Sequence, residues 1–432
     1  MTSSSPVPHR GLLAVLLAAL AMLGPFCIDA IYPAFPAIAA RFHAGALPMQ
    51  QTISVYLFAY AALSLFVGAM SDAWGRRTII LGGLAVFLAG TIGCALAPSL
   101  RALLVFRALQ GMSAGIGMIV GRAIVRDCFE GPHAQKLMAQ ISLIFGLAPA
   151  LAPVLGAWLV GWDGSPFASA PAWLAGWHAL FWALAVFTLA LIALCLAVLP
   201  ETHAHARRIA FLPGTLFANY RKIVSDRPFA ALALALTFNS AGLFVYVANA
   251  PRFVLDILAL DQNHFPWLFV PAISGLMFGA LLTGRLAGRV TVRALVGGGY
   301  AMMLGASLLN LIVASAVRPA RVPWAVLPIA IGAIGVNLVA PALNLLVLDR
   351  FPHYRGGASS VQAFLMLTFS ALLAGVLGPL IAHSALHLAV ASSAFYLIGF
   401  AGWRGYRRIA KRIPQKIDGD AAVVAAVGAN AD

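Results

Sequence analysis

Apolar residues fall into long runs separated by short polar breaks, near residues 11–38, 48–71, 78–97, 101–123, 137–160 and 177–199, then near 229–251, 265–287, 294–314, 322–348, 358–382 and 385–403. Each run approaches or exceeds the roughly 20 residues an α-helix needs to cross the hydrocarbon core, where backbone amides find partners only within the helix itself. The pattern predicts an all-α membrane protein with twelve transmembrane helices. The first run follows His9 and Arg10 like the core of a signal peptide. It continues through Gly24, Pro25 and Asp29, beyond the roughly 7–15 residues of such a core, and is read as a retained first span.

Between the sixth and seventh runs, residues 200–228 break the rhythm with Pro200, His203, His205, Arg207, Arg208, Pro213 and Pro228. This linker divides the chain into a bundle of six spans over 1–199 and a second over 229–403, with a tail over 404–432. Residues 1–8 are rich in Ser and Pro, and 415–432 in Ala, Gly and Val; both ends are expected to lack fixed structure. A trace of internal repeat runs through the two halves. The loop after the second run reads Gly68-Ala-Met-Ser-Asp72-Ala-Trp-Gly75-Arg76-Arg77, and the loop after the eighth reads Gly284-Arg285-Leu-Ala-Gly288-Arg289.

Composition agrees with burial in lipid: 62% of residues are apolar and 9% charged, the latter about a third of the share usual in a soluble domain. The formal net charge is +15, and its placement decides its meaning. With the amino terminus inside, 22 of the 28 Lys and Arg residues fall in cytoplasmic segments, five (Arg41, Arg101, Arg252, Arg318 and Arg321) fall outside, and Arg107 lies within a span. That bias orients both termini to the cytoplasm and explains the basic balance without nucleic acid. Cys27, Cys94 and Cys195 lie in spans and Cys128 in a cytoplasmic loop, so no disulfide or metal site is expected.

Few residues within the spans carry chemistry. Asp29 is the one acidic residue inside a run, in Phe26-Cys-Ile-Asp29-Ala-Ile-Tyr32-Pro33-Ala-Phe-Pro36. A lone carboxyl there is the candidate proton carrier, unless it sits at the outer end in water. Arg107, in Phe106-Arg107-Ala-Leu-Gln110-Gly111, must face a partner or a wet cavity, or snorkel to the outer surface. The two are expected to couple, the fixed positive charge acting on the Asp29 carboxyl. In the first loop, glycines permit a tight turn, and Asp72 is expected to accept hydrogen bonds from a helix N-terminus or from Arg122 or Arg126, forming a cytoplasmic latch with Gly68, Gly75, Arg76 and Arg77. In the fifth run Pro149 and Pro153 kink one face, while Gly146 and Gly156 allow close packing. Tyr32, Tyr56, Tyr60, Phe145, Phe238, Asn239, Tyr246, Asn337 and Asn344 are the candidate substrate-binding residues of an apolar, aromatic cavity.

The Gly68–Arg77 segment resembles the signature loop of the major facilitator superfamily, whose two sets of six helices place the substrate site between the halves. Arg107-x-x-Gln110-Gly111 resembles that family's second motif, associated with proton coupling in exporters. Gly146 to Gly156 is similar to its antiporter motif, which symporters generally lack, although Ala148 stands before Pro149 in place of glycine. Asp29–Pro36, Phe244–Phe253 and Asp349–Ser359 resemble segments of the bicyclomycin and chloramphenicol resistance (Bcr/CflA) group of drug exporters. The resemblance covers nearly the whole chain. It implies a monomeric drug:proton antiporter of the cell inner membrane, using the proton gradient and no cofactor, whose partners are a small-molecule drug or metabolite, protons and the lipid bilayer.

Other classes fit less well. A metabolite importer would share the fold but lack the antiporter motif. An integral-membrane enzyme should cluster His, Asp or Cys at one depth, and no such cluster is found. No Gly-x-x-x-x-Gly-Lys-Ser/Thr loop is present to bind ATP. A sensor or purely structural role gives no return for the intramembrane prolines, Asp29 and Arg107.

Overall fold

A computed structural model of the chain describes residues 10–129, 131–161, 171, 173–203, 208, 211–286, 288–352 and 354–412. Among these residues, eleven helices are long and apolar enough to cross a membrane: Gly11–Phe42, Ala46–Trp74, Arg76–Ala95, Leu100–Cys128, Trp177–Val198, Arg227–Ala248, Gln262–Leu286, Val292–Ala316, Leu327–Arg350, Arg355–Ile381 and Ala385–Lys411. Another, Gly131–Gly161, carries the apolar segment Gly146–Val160 and takes fifth place in chain order. The helices are numbered below as the first to twelfth spans. Val105, Val186, Leu281, Leu308 and Leu380 lie exposed on their outer faces, the arrangement expected of helices solvated by lipid.

Packing repeats from one half to the other. The second span packs on the fourth as the eighth does on the tenth, the third on the fourth as the ninth on the tenth, and the third on the sixth as the ninth on the twelfth. Between the halves the second span meets the eleventh and the fifth meets the eighth, two contacts related by the same exchange. The loops singled out as a repeat also share a backbone device. Gly75 and Gly288 both have positive φ, at 98° and 73°, where a side chain would be strained.

Two features depart from the sequence pattern. The first run is not one continuous helix: its α-helix ends at Asp29, a 3-10 turn covers Tyr32–Ala34, and a short helix Phe35–Phe42 completes the crossing. Pro33 and Pro36 lack the amide hydrogens that a continuous helix would use there. The linker contains a helix, Pro213–Val224, whose Tyr220 and Ile223 are buried. Its proline sits in the first turn, where a missing donor costs nothing. Residues 1–8 and 415–432, Arg207 and the Phe145 side chain lie outside the described residues.

The apolar core is divided unevenly. One cluster fills the amino-terminal half and continues across the seam into Val245, Phe253, Phe269, Ile329 and Leu373, at the ends of the carboxy-terminal spans away from the Arg-rich loops. A separate cluster, with Tyr220, Phe229, Tyr300, Val361 and Trp403, occupies the opposite end of the carboxy-terminal half. At the other end the partly buried Leu65 of the amino-terminal half joins the carboxy-terminal core, so among the described residues the buried core of the two halves is shared at one end. That end is called the outer end below, and the end bearing the Arg-rich loops the basic face.

Close helix approach is a condition of this packing. A Cβ at Gly111 would fall on the backbone carbonyl of Tyr56, where the fourth span crosses the second. Gly111→Ala should destabilise the protein by about 1–3 kcal/mol through overpacking. A lowered thermal midpoint of the detergent-solubilised protein checks this, and an unchanged midpoint would show that the crossing has room.

Candidate functional site

Arg107 is fully buried, which removes the snorkelling alternative. The position is near the start of the fourth span in sequence, but the first and second spans close over it. Its Nε donates to the Thr52 carbonyl at 3.2 Å, and Nη1 donates to Cys27 Sγ at 3.1 Å and to Gln110 Oε1 at 2.9 Å. The guanidinium carbon stands 4.3 Å from the centre of the Tyr56 ring. Gln110 Nε2 donates in turn to Thr91 Oγ1 at 2.8 Å, and the Tyr56 hydroxyl donates to the Gly24 carbonyl at 3.0 Å. One charged side chain thus ties the first four spans together, leaving Nη2 buried without a hydrogen-bond partner among the described residues.

Asp29 is buried as well, which excludes the solvated alternative for this conformation. Among the described residues its carboxyl forms no hydrogen bond and no ion pair. Arg107 reaches Cys27, two residues earlier, but does not pair with Asp29. The carboxyl stands where the first α-helix ends, and the fifth span packs on the adjoining Ala30. A Cβ at Gly156 would fall on the Ala30 carbonyl. Gly156 therefore places the motif of the fifth span against the break that bears the acid. Ala148 and Pro153 of that motif are buried, Pro149 partly so, while Gly146 has open space beside it. Three residues beyond Asp29, Tyr32 crosses the seam to Phe269 of the eighth span, with ring centres 6.1 Å apart.

The seam is closed at the outer end by polar contacts that the sequence reading missed. Gln50 Nε2 donates to Asn249 Oδ1 at 3.1 Å, Gln51 Nε2 to the Gly375 carbonyl at 2.9 Å, and Ser54 Oγ to the Ala371 carbonyl at 2.8 Å. Gln50, Gln51 and Ser54 stand near the start of the second span, and a Cβ at Gly375 would collide with Ser54. The available sequence signal was Gln50-Gln51 at the edge of an apolar run, which looks like an ordinary polar boundary. At the basic face, the Tyr220 hydroxyl of the linker helix donates to the Leu65 carbonyl of the second span, and Phe217 packs edge-on against Phe66.

The loop around Asp72 forms a cluster, but its partners differ from those expected. Asp72 pairs with Arg76, one turn ahead, rather than with Arg122 or Arg126. Arg122 stands more than a turn deeper on the fourth span, and it is Asp127, next to Arg126, that lies in reach of Arg76. Arg76 Nε contacts Asp127 Oδ2 at 3.3 Å, and Thr202 donates to the same oxygen at 3.0 Å. Glu201, also missed, accepts the backbone amides of Arg76 and Arg77 at 2.9 and 3.3 Å. Its carboxylate caps the amino terminus of the third span, where charge and orphan donors favour an anion. The cluster joins the second, third, fourth and sixth spans within one half and makes no side-chain hydrogen bond to the other half among the described residues.

The candidate substrate residues separate by location. Tyr56 and Tyr60 are packed inside the amino-terminal half, Tyr56 against Arg107. Asn239 donates to the Tyr300 hydroxyl at 2.9 Å and Tyr246 accepts from Asn310 at 2.7 Å, both inside the carboxy-terminal half. Asn337 donates to the Leu276 carbonyl at 2.7 Å, and Asn344 is exposed. Phe238 is partly buried against Phe369 and Phe395, with ring centres 4.6 and 5.8 Å away. Tyr32 lies on the seam. Among the described residues, buried polar side-chain atoms without a partner stand instead at Gln362 and Thr368 on the eleventh span and Thr237 on the seventh.

If the Gln50–Asn249 bond helps hold the outer end shut, Gln50→Ala should remove about 1 kcal/mol of closure, the usual net worth of such a bond. With a cysteine at the buried neighbour Ile53, a maleimide that cannot cross membranes should then label the protein about fivefold faster from the outer side. Equal labelling rates would remove Gln50 from the gate.

Known proteins resemble the chain over most of its length. The family model described as Major Facilitator Superfamily matches residues 14–379. A transporter of Bacillus subtilis named as the uncharacterized MFS-type transporter YdgK is 32% identical over 381 residues, 86% of this chain and 89% of that protein. The multidrug transporter MdfA of Escherichia coli O157:H7 is 28% identical over 366 residues, covering 81% of this chain and 85% of its own. The bicyclomycin resistance protein homolog of Haemophilus influenzae is 27% identical over 63% of this chain and 66% of its own. Among solved structures, a bacterial homolog of the human lysosomal transporter Spinster, described as inward-facing and occupied, matches with a TM-score of 0.72 and 16% identity over 95% of this chain and 98% of its own. A D-xylose–proton symporter matches at 0.69 with 14% identity over 91% and 96%. The twelve-span architecture with its repeated packing, and a family match across most of the chain, place this protein in the major facilitator superfamily.

Proposed function

We propose that this chain exports small, largely apolar drug-like molecules across the cell inner membrane in exchange for protons, with both termini in the cytoplasm. The observation that carries this reading is Asp29. It is a buried carboxyl without a partner among the described residues, at a break in the first span where Gly156 of the fifth span meets the adjoining Ala30 carbonyl, and next to a seam that is closed outside. A charge so placed is costly in the dry state, so the group binds a proton when enclosed and releases it when water enters from one side. Substrate competes for the same space. The relatives named for multidrug transport and bicyclomycin resistance support a drug as cargo.

Arg107 serves this cycle as a positioning residue. It grips Cys27 and the second and fourth spans, and so fixes the register of the segment ending in Asp29. Substrate contacts come from residues at or near the seam: Tyr32, Phe238, and Gln362 and Thr368, whose buried polar atoms have no partner among the described residues. The cluster of Asp72, Arg76, Asp127 and Glu201 holds the basic-face ends of one half as a unit, so that the half can rock as a rigid body.

In inside-out vesicles carrying an imposed pH gradient, Asp29→Asn should abolish proton-driven uptake of a hydrophobic drug cation while the purified protein keeps its melting curve. Wild-type uptake by that variant would remove Asp29 as the carrier. Arg107→Lys should retain part of the transport, since it keeps the charge but lacks the planar fork that meets Thr52, Cys27 and Gln110 together. Arg107→Ala should still bind drug yet lose drug-induced proton release, and normal release would make Arg107 purely structural.

A further inference from the structure

The twelfth span continues past the apolar region as a helix to its basic-face end, and there its composition changes abruptly. Arg404, Arg407, Arg408 and Lys411 project from one side of it, within about a 100° arc at the roughly 3.6-residue helical period, and with Phe400 they line a groove of about 380 Å³. Arg404 lies over the Phe400 ring, 5.8 Å from its centre. Among the described residues none of the four cations has an acidic partner. Helices packed against this span bring little negative charge. Asp226 at the start of the seventh is held by Arg350 at 2.8 Å, Arg227 and Arg293 are basic, and Asp349 near Tyr406 is the remaining acid. Four like charges converging on one groove require counter-anions.

The surroundings say which kind. On the same side of the helix, about two and four turns before Arg404, Leu397 and Val390 are exposed. On the other side of the helix, which packs on the carboxy-terminal core, Trp403 and Tyr406 stack with ring centres 5.6 Å apart, so on the open side the change from apolar residues to cations is abrupt, as at a membrane interface. The groove therefore sits at headgroup depth, directly below a surface for acyl chains. We propose that it is a binding site for an anionic phospholipid of the cytoplasmic leaflet, its phosphate held by Arg404, Arg408 and Lys411 and its chains lying along Leu397 and Val390. A general excess of positive charge needs no such convergence, whereas a headgroup does.

Native mass spectrometry of the full-length, detergent-solubilised protein tests this with dioleoyl phosphatidylglycerol and dioleoyl phosphatidylcholine supplied at equal concentrations. Wild type should retain phosphatidylglycerol in preference. Arg404→Gln, Arg408→Gln and Lys411→Gln together should lower that preference at least about fivefold. Arg404→Lys with Arg408→Lys should keep most of it. Arg285→Gln, Arg289→Gln and, on the linker helix, Arg221→Gln, which remove equal charge elsewhere on the basic face, should leave it unchanged. Melting curves matching wild type establish that each variant is folded. Equal retention of the two lipids, or equal loss in both triple variants, would overturn the site. Displacement of the lipid by millimolar inorganic phosphate would do so too, by showing a site for soluble anions.

Discussion

A guanidinium with no access to water anchors the amino-terminal half. Charge within a membrane costs at least roughly 2.5–3.5 kcal/mol at mid-depth, and Arg107 offsets that cost only because a thiol, an amide oxygen, a backbone carbonyl and an aromatic face converge on it. They come from three stretches of chain, one on each of the first, second and fourth spans. The first, second and fourth spans must hold their register for the set to exist, and Gly111 lets two of them approach closely enough. Removing the charge would leave Thr52, Cys27 and Gln110 short of a donor in a medium that supplies none.

Asp29 is the counterpart without compensation. It lies two residues beyond Cys27, yet the helix ends there and the carboxyl is given no donor among the described residues. The same half therefore contains a cation held by three hydrogen bonds and an aromatic face and, among the described residues, an acid held by none. That contrast separates a scaffold from a moving part. The outer seam is built in a third way, by single hydrogen bonds from Gln50, Gln51 and Ser54. Each is worth about 1 kcal/mol net, strong enough together to bias a closed state and weak enough to release one at a time.

Legibility in the sequence followed the range of the interaction. Twelve spans could be read because hydrocarbon forces every crossing into about 20 apolar residues, a local rule. Asp29 and Arg107 stood out because charge in such a run is rare. Their partners were another matter. The Arg107 donors meet residues as far as 80 positions away, and Gln50 meets a residue 199 positions away, so neither pairing leaves a trace in spacing. Asp72 was given Arg122 or Arg126 as a partner, but the nearer Arg76 and the unnoticed Asp127 and Glu201 complete that cluster. Tyr56 and Tyr60 looked suited to line a cavity, and packing placed them inside one half.

The chain by itself determined the number of crossings, the side that carries positive charge and the few residues whose presence in lipid demands a reason. Those properties follow from the solvent, which acts on each segment independently. Tertiary structure decided which polar groups are satisfied, where the first span breaks its helix beside the fifth, and which end of the seam is shut. These depend on how helix faces meet, and in a uniformly apolar sequence many faces have the same composition. Only the close approaches at glycine and the long-range hydrogen bonds distinguish one arrangement of them from another.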